Sequence, residues 1–144
     1  MDAIPPLTHP DNMPPVRSQA DLQRTWRALM GPLGFAGRSL WLLVLDGLGH
    51  PTPVILQVEE MPPRPDAEMG RSLVHVVSSV AEDAGQVVFL LSRPGRDGLT
   101  ADDLAWALLL QDVARQAGMP VWPVHRANDH ALVVIAPDDL SASA

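Results

Sequence analysis

Apolar residues recur at helical spacing in three stretches of the chain, and five shorter stretches have the density or alternation of strands. Leu22, Trp26, Leu29 and Met30 lie three and four apart, which sets them on one face of a helix. Ser18 offers that helix an N-cap, with Asp21 three residues on, and Gly31-Pro32 ends it. Met69, Leu73, Val76, Val77, Val80 and Ala84 predict a second helix, capped by Asp66 and stopped at Gly85. Thr100 with Asp103 opens a third, Leu104–Ala117, which Gly118 terminates. Between them, Ser39–Asp46 and Gln86–Ser92 are nearly unbroken apolar runs, as in strands buried on both faces. Asp46-Gly47 with Gly49 is a turn signal, and Pro53–Val58 is the return strand. Pro120–Arg126 and Ala131–Ile135 form a last hairpin around Asn128-Asp129. Pro123 cannot donate to a ladder, so Pro120–Arg126 is expected at a sheet edge or bulge.

The order α-β-β-α-β-α-β-β predicts an α+β fold, a mixed sheet flanked by helices. Residues 1–17 carry five prolines before Val16 and no apolar run, so they are expected to be a flexible proline-rich arm rather than a signal peptide. Residues 18–136 form a single α/β domain, and the polar stretch 137–144 is a flexible tail. No internal repeat is present. Of the 144 residues 47% are hydrophobic, enough for a core. No stretch reaches the ~18 apolar residues that span a bilayer, so a cytoplasmic protein without membrane contact is expected.

Composition removes several chemistries. There is no cysteine, which excludes disulfides, thiolate metal sites and a cysteine nucleophile. All 10 positive charges are arginine, so Schiff-base and P-loop lysine chemistry is absent too. Against 17 acidic residues they leave a net charge of -7, which argues against a nucleic-acid partner. The lack of lysine and tyrosine reflects codon bias of a GC-rich genome and carries no functional weight.

The histidines give no helical i, i+4 pair for a metal. His125 and His130 flank the last hairpin with Asp129 beside them, where a surface metal site is the alternative, but two half-exposed polar side chains on an edge hairpin are the preferred expectation. The loop Ser92–Gly98 leaves a buried strand and enters a helix, the place where ligands sit in open sheets. Ser92, Arg93 and Arg96 are candidates for holding a carboxylate or phosphate, although Asp97, Asp102 and Asp103 crowd the same helix start and oppose an anion. The neighbours Glu59 and Glu60 point to opposite faces of a strand and do not make an acid–base pair. No Gly-x-Ser-x-Gly elbow exists, Ser78-Ser79 lies within a helix, and Ser72 has no base, so a serine triad is rejected. The tryptophans Trp26, Trp41, Trp106 and Trp122 are expected mostly in the core, with Trp122 and His125 on the presumed edge strand as interface candidates.

The stretch Val87–Asp103, VVFLLSRPGRDGLTADD, resembles the core of the RadC-like branch of the JAB/MPN metalloprotease fold. In that family the strand ends in His-x-His-Pro-Ser, and a Ser-x-x-Asp opens the next helix. The helix Leu104–Ala117, then Gly118-Met119-Pro120-Val121, His125, and the run Ala131–Ile135 continue the same layout. Leu40–Asp46 resembles the family's strand ending in leucine-aspartate. The resemblance spans roughly residues 18–135. It implies a metal site, but both histidine positions are replaced, by Leu91 and Arg93. Only Asp103 stands where the third ligand would be, and Pro94 keeps the turn. Zinc needs three protein ligands to activate a water, so the resemblance implies a scaffold without its metal chemistry and without a cofactor. The strand order also resembles cytidine-deaminase-like folds, whose His-x-Glu and Pro-Cys-x-x-Cys ligands are missing here.

The leading expectation is therefore a non-catalytic interaction module, with a protein partner or a second copy of itself, working through the loop Leu91–Gly98 and the strand Pro120–Arg126. A small anionic-ligand binder using the 92–98 loop is the alternative. A hydrolase with a rearranged site built from His125, His130 and Asp103 ranks last.

Overall fold

A computed structural model describes residues 14–80, 85–136 and 138–140. It has the expected element order: α1 (Gln19–Met30), β1 (Ser39–Leu45), β2 (Pro51–Val58), α2 (Ala67–Val80), β3 (Gln86–Ser92), α3 (Ala101–Gln116), β4 (His125–Ala127) and β5 (Leu132–Val134). Residues 138–140 add a short helical turn. The expected positions of the proline-rich arm before residue 14, of Ala84 and of the tail beyond residue 140 lie outside the described residues.

The caps act as the sequence predicts. The Ser18 hydroxyl accepts from the Asp21 N–H, while the Asp21 carboxylate turns to the Arg17 N–H, so only half of a capping box forms. Asp66 accepts from the Met69 N–H at α2. Thr100 and Asp103 form the complete reciprocal box at α3.

The sheet is mixed and open, in the order β2-β1-β3-β4-β5. β1 runs antiparallel to β2 and to β3, β4 is parallel to β3, and β5 is antiparallel to β4. Strand alternation sorts the apolar residues onto two faces. Leu40, Leu42 and Val44 stand opposite Leu91, Phe89 and Val87, and this face packs under α2 and α3 with Val77, Trp106, Leu110 and Val113. Leu43, Leu45, Val88 and Leu90 occupy the other face, covered by Leu22 and Trp26 of α1. Two core layers explain why β1 and β3 are continuously apolar: each is buried on both sides.

One placement differs from expectation. The strand expected over Pro120–Arg126 shrinks to His125–Ala127, with Pro123 outside the ladder as its missing N–H requires. That strand lies inside the sheet, between β3 and β5, not at an edge. α3 carries the chain from β3 across the helical face and back to a parallel neighbour, a crossover that puts β4 beside β3. The edges of the sheet are β2 and β5. No helix among the described residues is long and apolar enough to cross a membrane.

Candidate functional site

β3 ends at Ser92 and α3 begins at Ala101, so the loop between them brings the end of a central strand against the first turn of a helix. The capping box holds Asp103 with its carboxylate facing back toward that loop. Arg93, the first residue after β3, meets it: Nε donates to Oδ1 at 2.8 Å and Nη2 to Oδ2 at 2.8 Å. This bidentate fork is the strong geometry of arginine and carboxylate. Arg93 also donates to the carbonyls of Pro94, at 3.2 Å, and Gly98, at 3.1 Å. Both partners are almost fully buried, Arg93 at 5% exposure and Asp103 at 2%.

The charges respond accordingly. Asp103 holds the Arg93 guanidinium more firmly protonated, against the opposing effect of burial. Burial pushes the Asp103 carboxyl up, but the Arg93 fork, the Thr100 N–H and the charges of Arg93 and Arg126 outweigh it and hold it below its ordinary value. Arg126 was not singled out by its sequence. It points from β4 toward the same region, is 2% exposed, and donates from Nη1 to the Asp97 carbonyl at 3.2 Å. Its Nε has no partner, and burial lowers its pKa. Among the described residues Asp103 is thus paired with Arg93 alone and attracts Arg126 at longer range, while the exposed Asp97 carboxylate lies 3.9 Å from Nη1 of Arg93.

Beside the ion pair is a cavity of about 20 Å³, lined by Leu91, Ser92, Arg93, Asp103, Arg38, Ser39, Met61, Pro62 and Trp106. That is room for roughly one water. Leu91, Arg93 and Asp103, the three positions that the resemblance aligns with metal ligands, therefore lie together. An aliphatic side chain and a guanidinium do not fit a cation, and Asp103 already has both oxygens engaged. Among the described residues no group of three or more His, Asp and Glu side chains is placed to hold a metal ion.

The anion-binding set expected from the loop is corrected on three counts. Arg93 is committed to Asp103. The Ser92 hydroxyl accepts from the Trp41 indole N–H at 2.9 Å and is 2% exposed. Arg96 is exposed and lies outside this cavity, with Nη2 3.3 Å from Nδ1 of His130. Besides Arg126, sequence reasoning missed Arg38, which lines the cavity while its guanidinium makes no hydrogen bond or ion pair among the described residues. No motif signals it, because it precedes β1 and meets Arg93 only through the β1–β3 pairing.

The interface expected at Trp122 and His125 is corrected as well. Trp122 is half-buried, packs against the α1-side core and donates to the Gln86 side chain at 2.9 Å. His125 has no exposed surface, since an interior strand turns it under α1. Its Nε2 lies 3.3 Å from the Gln19 side-chain nitrogen, and its Nδ1 has no partner. His130, by contrast, is exposed, so His125, His130 and Asp103 do not form a common site.

Comparison with protein-family models, with curated proteins and with solved structures found no match for this chain.

Proposed function

We propose that this chain is a non-catalytic interaction module built on a scaffold of the RadC-like JAB/MPN kind, in which an arginine–aspartate pair stands in place of a metal centre. The observation that supports this reading is the convergence of Leu91, Arg93 and Asp103 on one small cavity. The strand end, loop and capped helix start that bring them together follow the order that such a site uses. The guanidinium supplies the positive charge that Asp103 needs, and it does so without an open coordination position. A site of this kind cannot lower the pKa of a bound water, so the module acts through its surfaces and its partners are proteins.

A reverse substitution tests the reading. Leu91→His with Arg93→His restores two imidazoles beside Asp103. The double variant is expected to take up one equivalent of zinc in equilibrium dialysis, and the native chain none. Zinc uptake by the native chain that survives Asp103→Asn, or no uptake by a folded double variant, would count against the scaffold.

A second reading draws on Arg38. Its guanidinium, which lines the cavity without a partner among the described residues, suits a single carboxylate group. A thermal shift with acetate or benzoate that disappears in Arg38→Gln would favour it.

A further inference from the structure

The two sheet edges are unequal. β5 is three residues long, whereas β2 runs for eight residues. Along β2, Val54, Leu56 and Val58 are 38%, 37% and 46% exposed. They alternate, so they share one face. Val58 lies opposite Leu40 and Leu56 opposite Leu42, both members of the core beneath α2 and α3. The helical layer therefore stops short of β2 and leaves an apolar shelf beside it. Between the shelf and α2 runs a groove of about 300 Å³, lined by Val58, Met61, Met69, Leu73, Ser72, Asp66 and Glu68. It carries two carboxylates and no cation. Glu59 and Glu60, both exposed, follow at the end of β2. Arg64, between them and α2, is bound to Asp102.

Natural sheets blunt their edges with charges, prolines or bulges. Here Pro51, Pro53 and a register shift between Leu43 and Leu45 disturb only the first half of the edge. From Val54 to Val58 the strand is Val-Ile-Leu-Gln-Val, with no charge and no proline. An unprotected edge beside an apolar shelf is the surface that strand addition uses. We propose that β2 and this groove receive an extended segment of a partner protein as a sixth strand, with apolar residues against the shelf and, on that same face, arginine or lysine where its ends pass Asp66, Glu68 and the Glu59-Glu60 pair. The acidic rim selects the cations. A second copy fits poorly, because β2 has no basic residue and the Glu59-Glu60 pair that follows it would bring two more carboxylates to an acidic groove. The inference rests on the reading of the chain as an interaction module, but it uses no residue of the Arg93–Asp103 cavity.

The test is fluorescence anisotropy of the full chain with two labelled octapeptides that share a core of alternating valine and threonine, one with arginine at its end positions, the other with glutamate there, together with amide chemical-shift mapping. The arginine peptide is expected to bind, to weaken with salt, and to shift amides of residues 54–58 and 66–73. Leu56→Glu and Glu68→Arg, both at exposed positions, should each weaken it about tenfold. N-methylation of alternate peptide amides should weaken it as well. Equal binding of both peptides, no binding, or binding untouched by either variant would overturn the proposal. So would a dimer of the native chain that Leu56→Glu dissociates, which would assign the edge to a second copy. Failure of the zinc test alone would leave this result standing, and failure here would leave the zinc result standing.

Discussion

Acidification should destabilise this fold through a single histidine before the carboxylates begin to contribute. His125 is fully buried: its Nε2 lies 3.3 Å from the Gln19 amide nitrogen, and the Pro123 carbonyl, which favours the charged ring, offsets only part of the cost of burial. The neutral ring can accept from the Gln19 amide, whereas the charged ring would set two donors against each other there. Burial accordingly pushes its pKa from 6.5 down to about 4. Between those values the unfolded chain binds a proton that the folded chain refuses. Stability is therefore complete above about pH 6.5 and falls as pH drops toward 4. At pH 4.5 the loss from this residue is about 2.5 kcal/mol, from 2.303RT per unit integrated over that window. For a chain of this size that is roughly 10 °C in Tm. Asp103, whose folded pKa is depressed, acts in the same direction only near and below the ordinary aspartate value, so the two effects separate. The assay is urea unfolding at intervals from pH 7 to 4.5, with His125→Gln alongside; the variant should start less stable and show a flatter slope. Equal slopes for variant and native chain, or a His125 ring proton that titrates near 6.5 in the folded protein, would refute the reasoning.

Asp103→Asn should cost about 3–5 kcal/mol in chemical denaturation, because it takes the buried bidentate partner from Arg93 and leaves the exposed Asp97 carboxylate, 3.9 Å from Nη1, as a weaker counter-charge; Arg93→Met with Asp103→Leu should recover most of that, and a loss below about 1 kcal/mol for the single change would show the pair to be dispensable. Arg126→Met should be neutral or stabilising, since it removes a buried guanidinium with an unpartnered Nε; a loss above about 2 kcal/mol would mean that its attraction to Asp103 dominates. Gly49→Ala should destabilise by about 1–3 kcal/mol: φ is +89°, and a Cβ there would lie 2.5 Å from the Val16 carbonyl oxygen. Gly37→Ala, with open space around it, is the matched control, and equal effects from the two would discount the clash.

The elements were legible because each is a local pattern. The run Gln86–Ser92 is a strand on its own evidence, and Thr100-Ala101-Asp102-Asp103 caps a helix whatever follows it. Sheet order was not legible. Pro123 announces a broken ladder, but nothing in Pro120–Arg126 says whether the strand lies at an edge, since that depends on pairing with β3 more than 30 residues away. The same gap hid the burial of His125, the side of the sheet Arg126 faces, and the approach of Arg38 to the cavity. The Arg93–Asp103 pair was half legible: both residues could be named as candidates, but the loop between them, which separates the two by ten positions, had to close before the cation could be seen to meet that carboxylate rather than a ligand.

Asp129, on the turn between β4 and β5, accepts the Phe35 N–H at 2.9 Å and the Gly95 N–H at 2.8 Å, and its own N–H donates to the Gly95 carbonyl. Its neighbour Asn128 donates to the Asp97 carbonyl and accepts the N–H groups of His130 and Ala131. Three segments with nothing in common along the chain are thereby latched by two adjacent side chains. In amide exchange these loops should open together with one common protection factor, and Asp129→Ala should release all three at once rather than one by one.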